Sequence, residues 1–141
     1  MSFNSVSECK LLELQFKILH DIYPTATSLK KMKIKASDTC DFCGEIETPI
    51  HFFILCETTD QIWTEAEKIV SNFLGFKFNY TEKSKLFGIY EDNSVLKGHQ
   101  RNFINKVNLI VKIAISRFKF YKNLNVKIYF ANELKFRGIT V

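Results

Sequence analysis

Three cysteines and one histidine fall within the stretch TCDFCGEIETPIHFFILC, and their spacing limits what this chain can fold into more than any other feature. Cys40, Cys43, His51 and Cys56 follow the pattern C-x2-C-x7-H-x4-C. Two residues between the first two cysteines let a tight turn direct both sulfurs at one ion, and three thiolates with one imidazole suit tetrahedral zinc. Four protein ligands leave no coordination position for water or substrate. The pattern therefore predicts one structural zinc ion.

The alternative interpretation is a set of ordinary buried thiols with His51 on a helix surface, because cysteine is common in protein cores. The close grouping of a cysteine pair, a histidine and a further cysteine argues against that alternative. The N-terminus, MSFNSVSECK, shows no secretory signal. This favours an intracellular location, in the cytoplasm or nucleus, where clustered cysteines are more often metal ligands than disulfide partners. The remaining cysteine, Cys9, is expected to fill the core.

A short helix is predicted to carry the histidine. Thr48 and Pro49 are typical of a helix N-terminus, because the threonine hydroxyl can accept from a backbone N–H and the missing donor of proline costs nothing there. Two positions five residues apart on an ideal α-helix point about 140° apart. His51 and Cys56 can therefore meet at one ion only if the helix ends or bends by Cys56.

The remaining sequence predicts a mostly α fold, a small helical domain with an irregular zinc-binding corner of turn and helix. Its 141 residues suit a single domain, here 1–141, with a zinc core at about 34–75 and basic C-terminal helices at about 94–138. Apolar periodicity predicts helices over about 8–21, 25–32, 82–86 and 126–136, one that ends near Gly75, and a long one that begins near 94. Thr58 and Gln61 have capping-box spacing, and Ser94 can cap the long helix.

Positive charge is concentrated in the second half of the chain. Residues 1–75 carry 7 basic and 11 acidic side chains, a net charge of −4, whereas residues 76–141 carry 13 and 4, a net charge of +9. Such an excess attracts polyanions, although a solvated helical face is the alternative interpretation. The residues predicted to contact nucleic-acid phosphates are Lys30, Lys31, Lys33, Lys35, Arg101, Lys106, Lys112, Arg117, Lys119 and Lys122.

Several function classes lack their sequence motifs. No apolar run approaches the roughly 18 residues of a membrane-spanning helix. The sequence has no glycine-rich phosphate loop, no HExxH and no paired carboxylates of the polymerase type. We therefore predict no catalytic residue, and we expect neither a membrane nor a small-molecule substrate as a partner.

The run ILHDIYPTATSLKKMKIKASDTCDFCGEIETPIHFFILCETTDQIW resembles the zinc-binding region at the C-terminal end of reverse transcriptases of non-LTR, LINE-type retrotransposons. The resemblance extends more weakly over most of residues 10–138. The matching positions are Ile18, Leu19, His20, Pro24, Thr25, Leu29, Lys31, Ile34, Ser37, Cys40, Phe42, Cys43, Glu47, Thr48, His51, Phe52, Phe53, Cys56, Ile62 and Trp63.

The resemblance implies that Cys40, Cys43, His51 and Cys56 are zinc ligands and that the module helps a polymerase to hold template RNA or target DNA. The expected partners are therefore RNA or DNA and a reverse-transcriptase polymerase domain. Because the sequence carries neither polymerase nor endonuclease motifs, we expect no enzyme activity. The alternatives are a structural or protein-docking zinc module, favoured by the apolar load of the long helix, and a retroelement remnant with no activity of its own.

Overall fold

The computed structural model describes residues 6–20, 23–88 and 96–139, with side chains described from residue 12 onward. Helix accounts for 67% of the structure, and no strand occurs among the described residues, so the predicted mostly α class is confirmed. The α-helices in this part of the chain are α1 (Val6–Leu19), α2 (Ala26–Lys31), α3 (Asp60–Leu74), α4 (Glu82–Phe87), α5 (Gly98–Tyr121) and α6 (Val126–Phe136). Between α2 and α3 lie a π-helical turn, His51–Leu55, and a 3-10 turn, Glu57–Thr59.

Helix α5 is the centre of the fold. It packs against α1, α3, α6 and the π-helical turn, and its side chains Ile104, Val107, Ile110 and Ile115 are fully buried. Because a helix with neighbours on several sides buries more than one stripe, α5 carries apolar residues around much of its circumference. The apolar residues that favoured a docking role are therefore core residues in part: Ile110 is fully buried, Leu109 is half-buried, and Ile113 packs against the core.

Two buried aromatic side chains of this core make hydrogen bonds to backbone carbonyls. The Trp63 indole N–H donates to the Phe53 carbonyl at 2.8 Å, which ties α3 to the π-helical turn. The Tyr80 hydroxyl donates to the Ile104 carbonyl at 2.8 Å, which ties the segment before α4 to α5. Unpaired polar groups in a core are costly, so these two bonds fix the positions of both aromatic rings.

Two helix boundaries differ from those predicted. α3 begins at Asp60, and Thr58 with Gln61 forms no capping box; the Thr59 hydroxyl instead donates to the Cys56 carbonyl at 2.9 Å. The chain turns sharply after Cys56, and the helix starts one residue later than the Thr58 cap predicted. α5 begins at Gly98, and Ser94 lies outside the described residues. The predicted end of α3 at Gly75 is confirmed, since Gly75 has a left-handed φ of 81°.

None of the described helices combines the length and the apolar character that crossing a membrane requires.

Lys112 is fully buried, so its predicted role as a phosphate contact is wrong. Its ammonium donates to Gln15 Oε1 at 2.7 Å and to the Leu86 carbonyl at 3.0 Å, between α1, α4 and α5. The face of α5 that carries it was expected to meet solvent, but α1 covers that face. Burial lowers the pKa of Lys112 from 10.5 to about 7.

This buried lysine predicts a pH dependence of stability. Between pH 7 and about 10 the unfolded chain holds a proton on Lys112 that the folded chain has released, so the free energy of unfolding should rise by up to about 1.4 kcal/mol per pH unit. Below pH 7 both states are protonated and the cost of burying the charge is present in full. Urea unfolding of zinc-loaded wild type and Lys112→Met at pH 7, 8.5 and 10 measures the effect.

In Lys112→Met this rise should be absent, whereas Lys68→Met, at an exposed lysine of α3, should follow wild type. Parallel pH profiles for wild type and Lys112→Met would contradict the assignment.

Candidate metal centre

The first two predicted ligands lie in a tight turn closed by backbone hydrogen bonds. The Cys40 N–H donates to the Glu45 carbonyl at 2.6 Å, and the Gly44 N–H donates to the Cys40 carbonyl at 3.0 Å. Gly44 has a φ of 81°, a left-handed conformation that glycine adopts without strain. An isolated bridge between Thr39 and Ile46 closes the base of the turn. These bonds hold Cys40 and Cys43 on one side of the loop.

The third and fourth ligands meet through the π-helical turn. The Thr48 hydroxyl accepts from the His51 N–H at 3.2 Å, as expected of a capping residue. The Cys56 N–H then donates to the His51 carbonyl at 3.0 Å, five residues back rather than four. This wider turn brings position 56 over position 51, which an α-helix does not do. Cys56 itself has an extended backbone, with ψ of 125°, so the helix ends where the sequence requires it to.

All four ligand atoms lie within 4.8 Å of one another. The Cys56 Sγ is 3.9 Å from Cys40 Sγ and 4.0 Å from Cys43 Sγ. Zn–S bonds of about 2.3 Å place two sulfurs of a tetrahedron about 3.8 Å apart, whereas a disulfide needs about 2.05 Å. The Cys43 Sγ is 3.1 Å from His51 Nε2, somewhat closer than zinc requires, so a small separation of these two groups admits the ion. The donor set and its spacing fit tetrahedral zinc.

Burial and nearby charge shift the pKa values of three of these ligand groups in different directions. Cys40, His51 and Cys56 are buried and Cys43 is half-buried. Burial raises the pKa of the Cys40 thiol to about 11, so a metal ion must displace its proton. Burial acts in the same direction on Cys56, but the Lys119 charge and hydrogen bonds from Thr58 outweigh it and lower that pKa. Burial also lowers the pKa of His51, which favours the neutral imidazole that binds metal.

Lys119 is the second predicted phosphate contact that the structure places in the interior. Its side chain is 5% exposed, and its ammonium lies over the Phe52 ring, 4.5 Å from the centroid. It therefore faces the zinc corner instead of solvent, and its predicted contact with nucleic acid is wrong. The cause is the same as for Lys112: the surface of α5 that carries Lys119 is covered, here by the π-helical turn.

The other eight residues predicted to contact phosphates are accessible to different degrees. Lys30, Lys31, Lys33, Arg117 and Lys122 are exposed, and Lys35, Arg101 and Lys106 are half-buried.

Several of these cations contact carboxylates in the same chain. Asp41, between the first two ligands, accepts from Lys122 at 2.8 Å and from Lys35 at 3.5 Å, and Arg117 pairs with Glu133. No role was predicted for Asp41, and only its position inside the cysteine turn could have indicated one.

Two further residues near the site have structural roles. Phe42 is half-buried and packs on Phe118 of α5, with ring centroids 4.9 Å apart. Glu47 is buried, and its carboxylate accepts from the Ala26 N–H at 2.9 Å, which connects α2 to the zinc corner. No sequence signal indicated the role of Glu47, because its partner is 21 residues away. The side chain of Cys9 lies outside the described part.

Zinc content provides a direct test of the cluster. Native electrospray mass spectrometry should find one zinc per chain in wild type, and none in Cys43→Ser or His51→Ala, because each variant removes one of four ligands. Cys9→Ser should keep the zinc and serves as the matched cysteine control. Since zinc-binding free energy becomes folding free energy, a chelator should also remove the amide protection of residues 38–57. Full zinc occupancy in Cys43→Ser would contradict the assignment.

Comparison with known proteins agrees with this geometry. Residues 2–63 match a protein family whose description is zinc-binding in reverse transcriptase. The match spans all four ligands and ends at Trp63, in the first turn of α3, so it covers somewhat less than half of the chain. No curated protein and no solved structure gives a significant match. The resemblance of residues 64–138 to the same proteins stays a prediction.

Sequence and geometry thus agree: residues 2–63 match a family described as zinc-binding in reverse transcriptase, and their Cys40, Cys43, His51 and Cys56 cluster fits one structural zinc ion.

Proposed function

We propose that this chain is a non-catalytic, zinc-stabilised module that binds single-stranded RNA or DNA as part of a non-LTR retrotransposon reverse transcriptase. The observation that carries the proposal is a group of lysines at the end of α2 and on the segment that connects α2 to the zinc turn. Lys30, Lys31 and Lys33 are exposed there, and Lys35 is half-buried. Lysines grouped in this way supply salt-dependent affinity for phosphates that depends little on base sequence.

The backbone that presents these lysines is held in a defined turn. The Ile34 and Lys35 N–H groups both donate to the Leu29 carbonyl, at 2.9 and 3.2 Å, and Lys33 has a left-handed φ of 60°. A fixed turn of this kind loses little backbone entropy when a ligand binds. Lys30 pairs with Asp38 at 3.8 Å across an exposed surface, and such pairs are worth about 0–1 kcal/mol, so a phosphate can replace the carboxylate.

An open cleft of about 550 Å³ lies beside this turn. Its charged lining residues are Lys30, Lys31 and Asp38. Apolar surface is supplied by Ile18, Ile50 and Phe87. Single-stranded nucleic acid is commonly held by cations that follow its backbone and apolar or aromatic surfaces that contact its bases. The cleft therefore supports single-stranded nucleic acid rather than a duplex as the ligand.

The donor set of the cluster supports a non-catalytic role for the zinc ion. The matched family is described as zinc-binding in reverse transcriptase. The cluster supplies four protein ligands, which leaves zinc no position for an activated water.

Salt dependence tests the proposal. The affinity of the zinc-loaded chain for single-stranded RNA should fall steeply with salt, with a log–log slope of about −0.7 for each phosphate contact. Lys31→Gln/Lys33→Gln should make that slope shallower by about 1.4, because it removes two contacts. Lys68→Gln/Lys135→Gln, which removes two exposed lysines from α3 and α6, is the matched control and should leave the slope near that of wild type. Fluorescence anisotropy at several salt concentrations measures all three.

A salt-independent affinity, or an equal slope change in the control, would contradict nucleic-acid binding through this turn.

A second candidate, docking to a polymerase domain, is favoured by α1. Leu12, Phe16 and Leu19 recur at helical spacing and are 46%, 54% and 44% exposed. Apolar stripes of this kind are typical of protein interfaces. If docking is the function, Leu12→Ser/Phe16→Ser should weaken binding to a non-LTR polymerase domain and leave RNA affinity unchanged.

A further inference from the structure

Lys119 is a buried cation to which the described part of the chain offers no hydrogen bond. Its side chain is 5% exposed, and its ammonium finds no acceptor among the described residues. The Phe52 ring, 4.5 Å from the ammonium, makes a cation–π contact with it and replaces a small part of the lost hydration. Burying an ammonium destabilises the folded state unless an anion compensates for its charge. We therefore expect negative charge near Lys119.

The zinc centre supplies negative charge beside the π-helical turn, which Lys119 contacts. A zinc ion with three thiolates and a neutral imidazole carries a net charge of −1. Phe52, which lies under the Lys119 ammonium, directly follows the ligand His51 in the π-helical turn. The Lys119 ammonium therefore contacts the residue next to a zinc ligand.

The surrounding contacts hold the end of α5 against the cysteine turn. Phe42, between the two cysteines of the turn, packs on Phe118 with centroids 4.9 Å apart. Lys122, which ends α5 in a left-handed conformation, donates to Asp41 at 2.8 Å and lies 5.8 Å from the centre of the Phe42 ring. Lys119 lies on the same helix end, one turn before Lys122. Its position relative to the cluster is therefore fixed by packing on both sides.

We propose that Lys119 is a positioning residue for the zinc centre, where its buried ammonium balances the net negative charge of the zinc–thiolate group. The stretch that carries the zinc ligands ends at Cys56, whereas Lys119 belongs to α5, far outside the family match. Zinc binding and the packing of α5 thus stabilise each other. The inference rests on the zinc site and is independent of nucleic-acid binding.

Zinc affinity of charge variants tests this role in the full chain. In competition with a chromophoric chelator, Lys119→Met should bind zinc about 10- to 100-fold more weakly than wild type, as is usual when a group behind the ligands is lost. Lys119→Arg keeps the charge and should stay within about threefold of wild type. Lys127→Met, at an exposed lysine of α6, is the control and should not change zinc affinity.

Unchanged zinc affinity in Lys119→Met would overturn the proposal. Equal weakening in Lys119→Met and Lys119→Arg would also overturn it, because it would assign the effect to side-chain shape. If Lys119→Met does not fold, wild type provides the test. The Lys119 ammonium should give a slowly exchanging 15N signal in the zinc-loaded protein that is lost when a chelator removes zinc, and a signal indifferent to zinc would refute the proposal.

Discussion

The hydrogen bond from the Cys56 N–H to the His51 carbonyl is the constraint on which the metal centre depends. It spans five residues and widens the helix by one residue per turn, so that two side chains otherwise about 140° apart face the same point. The chain then leaves the helix at Cys56, and the Thr59 hydroxyl secures this exit by donating to the Cys56 carbonyl. Without this turn, three ligands would converge and the fourth would point elsewhere.

The zinc corner is built into the helical domain on two sides. On one side, the Trp63 indole donates to the Phe53 carbonyl, which fixes the π-helical turn to α3. On the other, Phe42 packs on Phe118 of α5. Both contacts join residues within the cysteine and histidine stretch to helices that follow it. Loss of zinc should therefore loosen the packing of α5 as well as the cysteine turn, because the apolar core runs without interruption from α1 to α6.

The sequence was informative where local chemistry decides the structure. The cysteine spacing, the Thr48 cap and the left-handed Gly75 each follow from the residue and its near neighbours, and the structure has all three. The requirement that the helix end by Cys56 also followed from helix geometry alone. The π-helical form of the turn did not, because it arises only when both ligands are drawn to one point.

The sequence was misleading where packing between distant helices decides the structure. Lys112 and Lys119 were predicted to lie on a basic, exposed face of a helix. Both are buried, because α5 has neighbours on several sides. A single helix shows its main apolar stripe but not how many neighbours will cover it. The same limit applies to Glu47, whose buried carboxylate accepts from an N–H at the start of α2. Of the predicted phosphate contacts, Lys30, Lys31 and Lys33, at the end of α2 and just after it, are exposed.

X-ray absorption at the zinc edge of the purified, zinc-loaded chain tests the central claim most directly. The account predicts a first shell of three sulfurs at about 2.3 Å and one nitrogen at about 2.0–2.1 Å, with no bound water. This shell would establish a closed, structural site formed by Cys40, Cys43, His51 and Cys56. A shell with fewer than three sulfurs, or with an added oxygen from water, would contradict it, because at least one predicted ligand would then be absent or the site would be open.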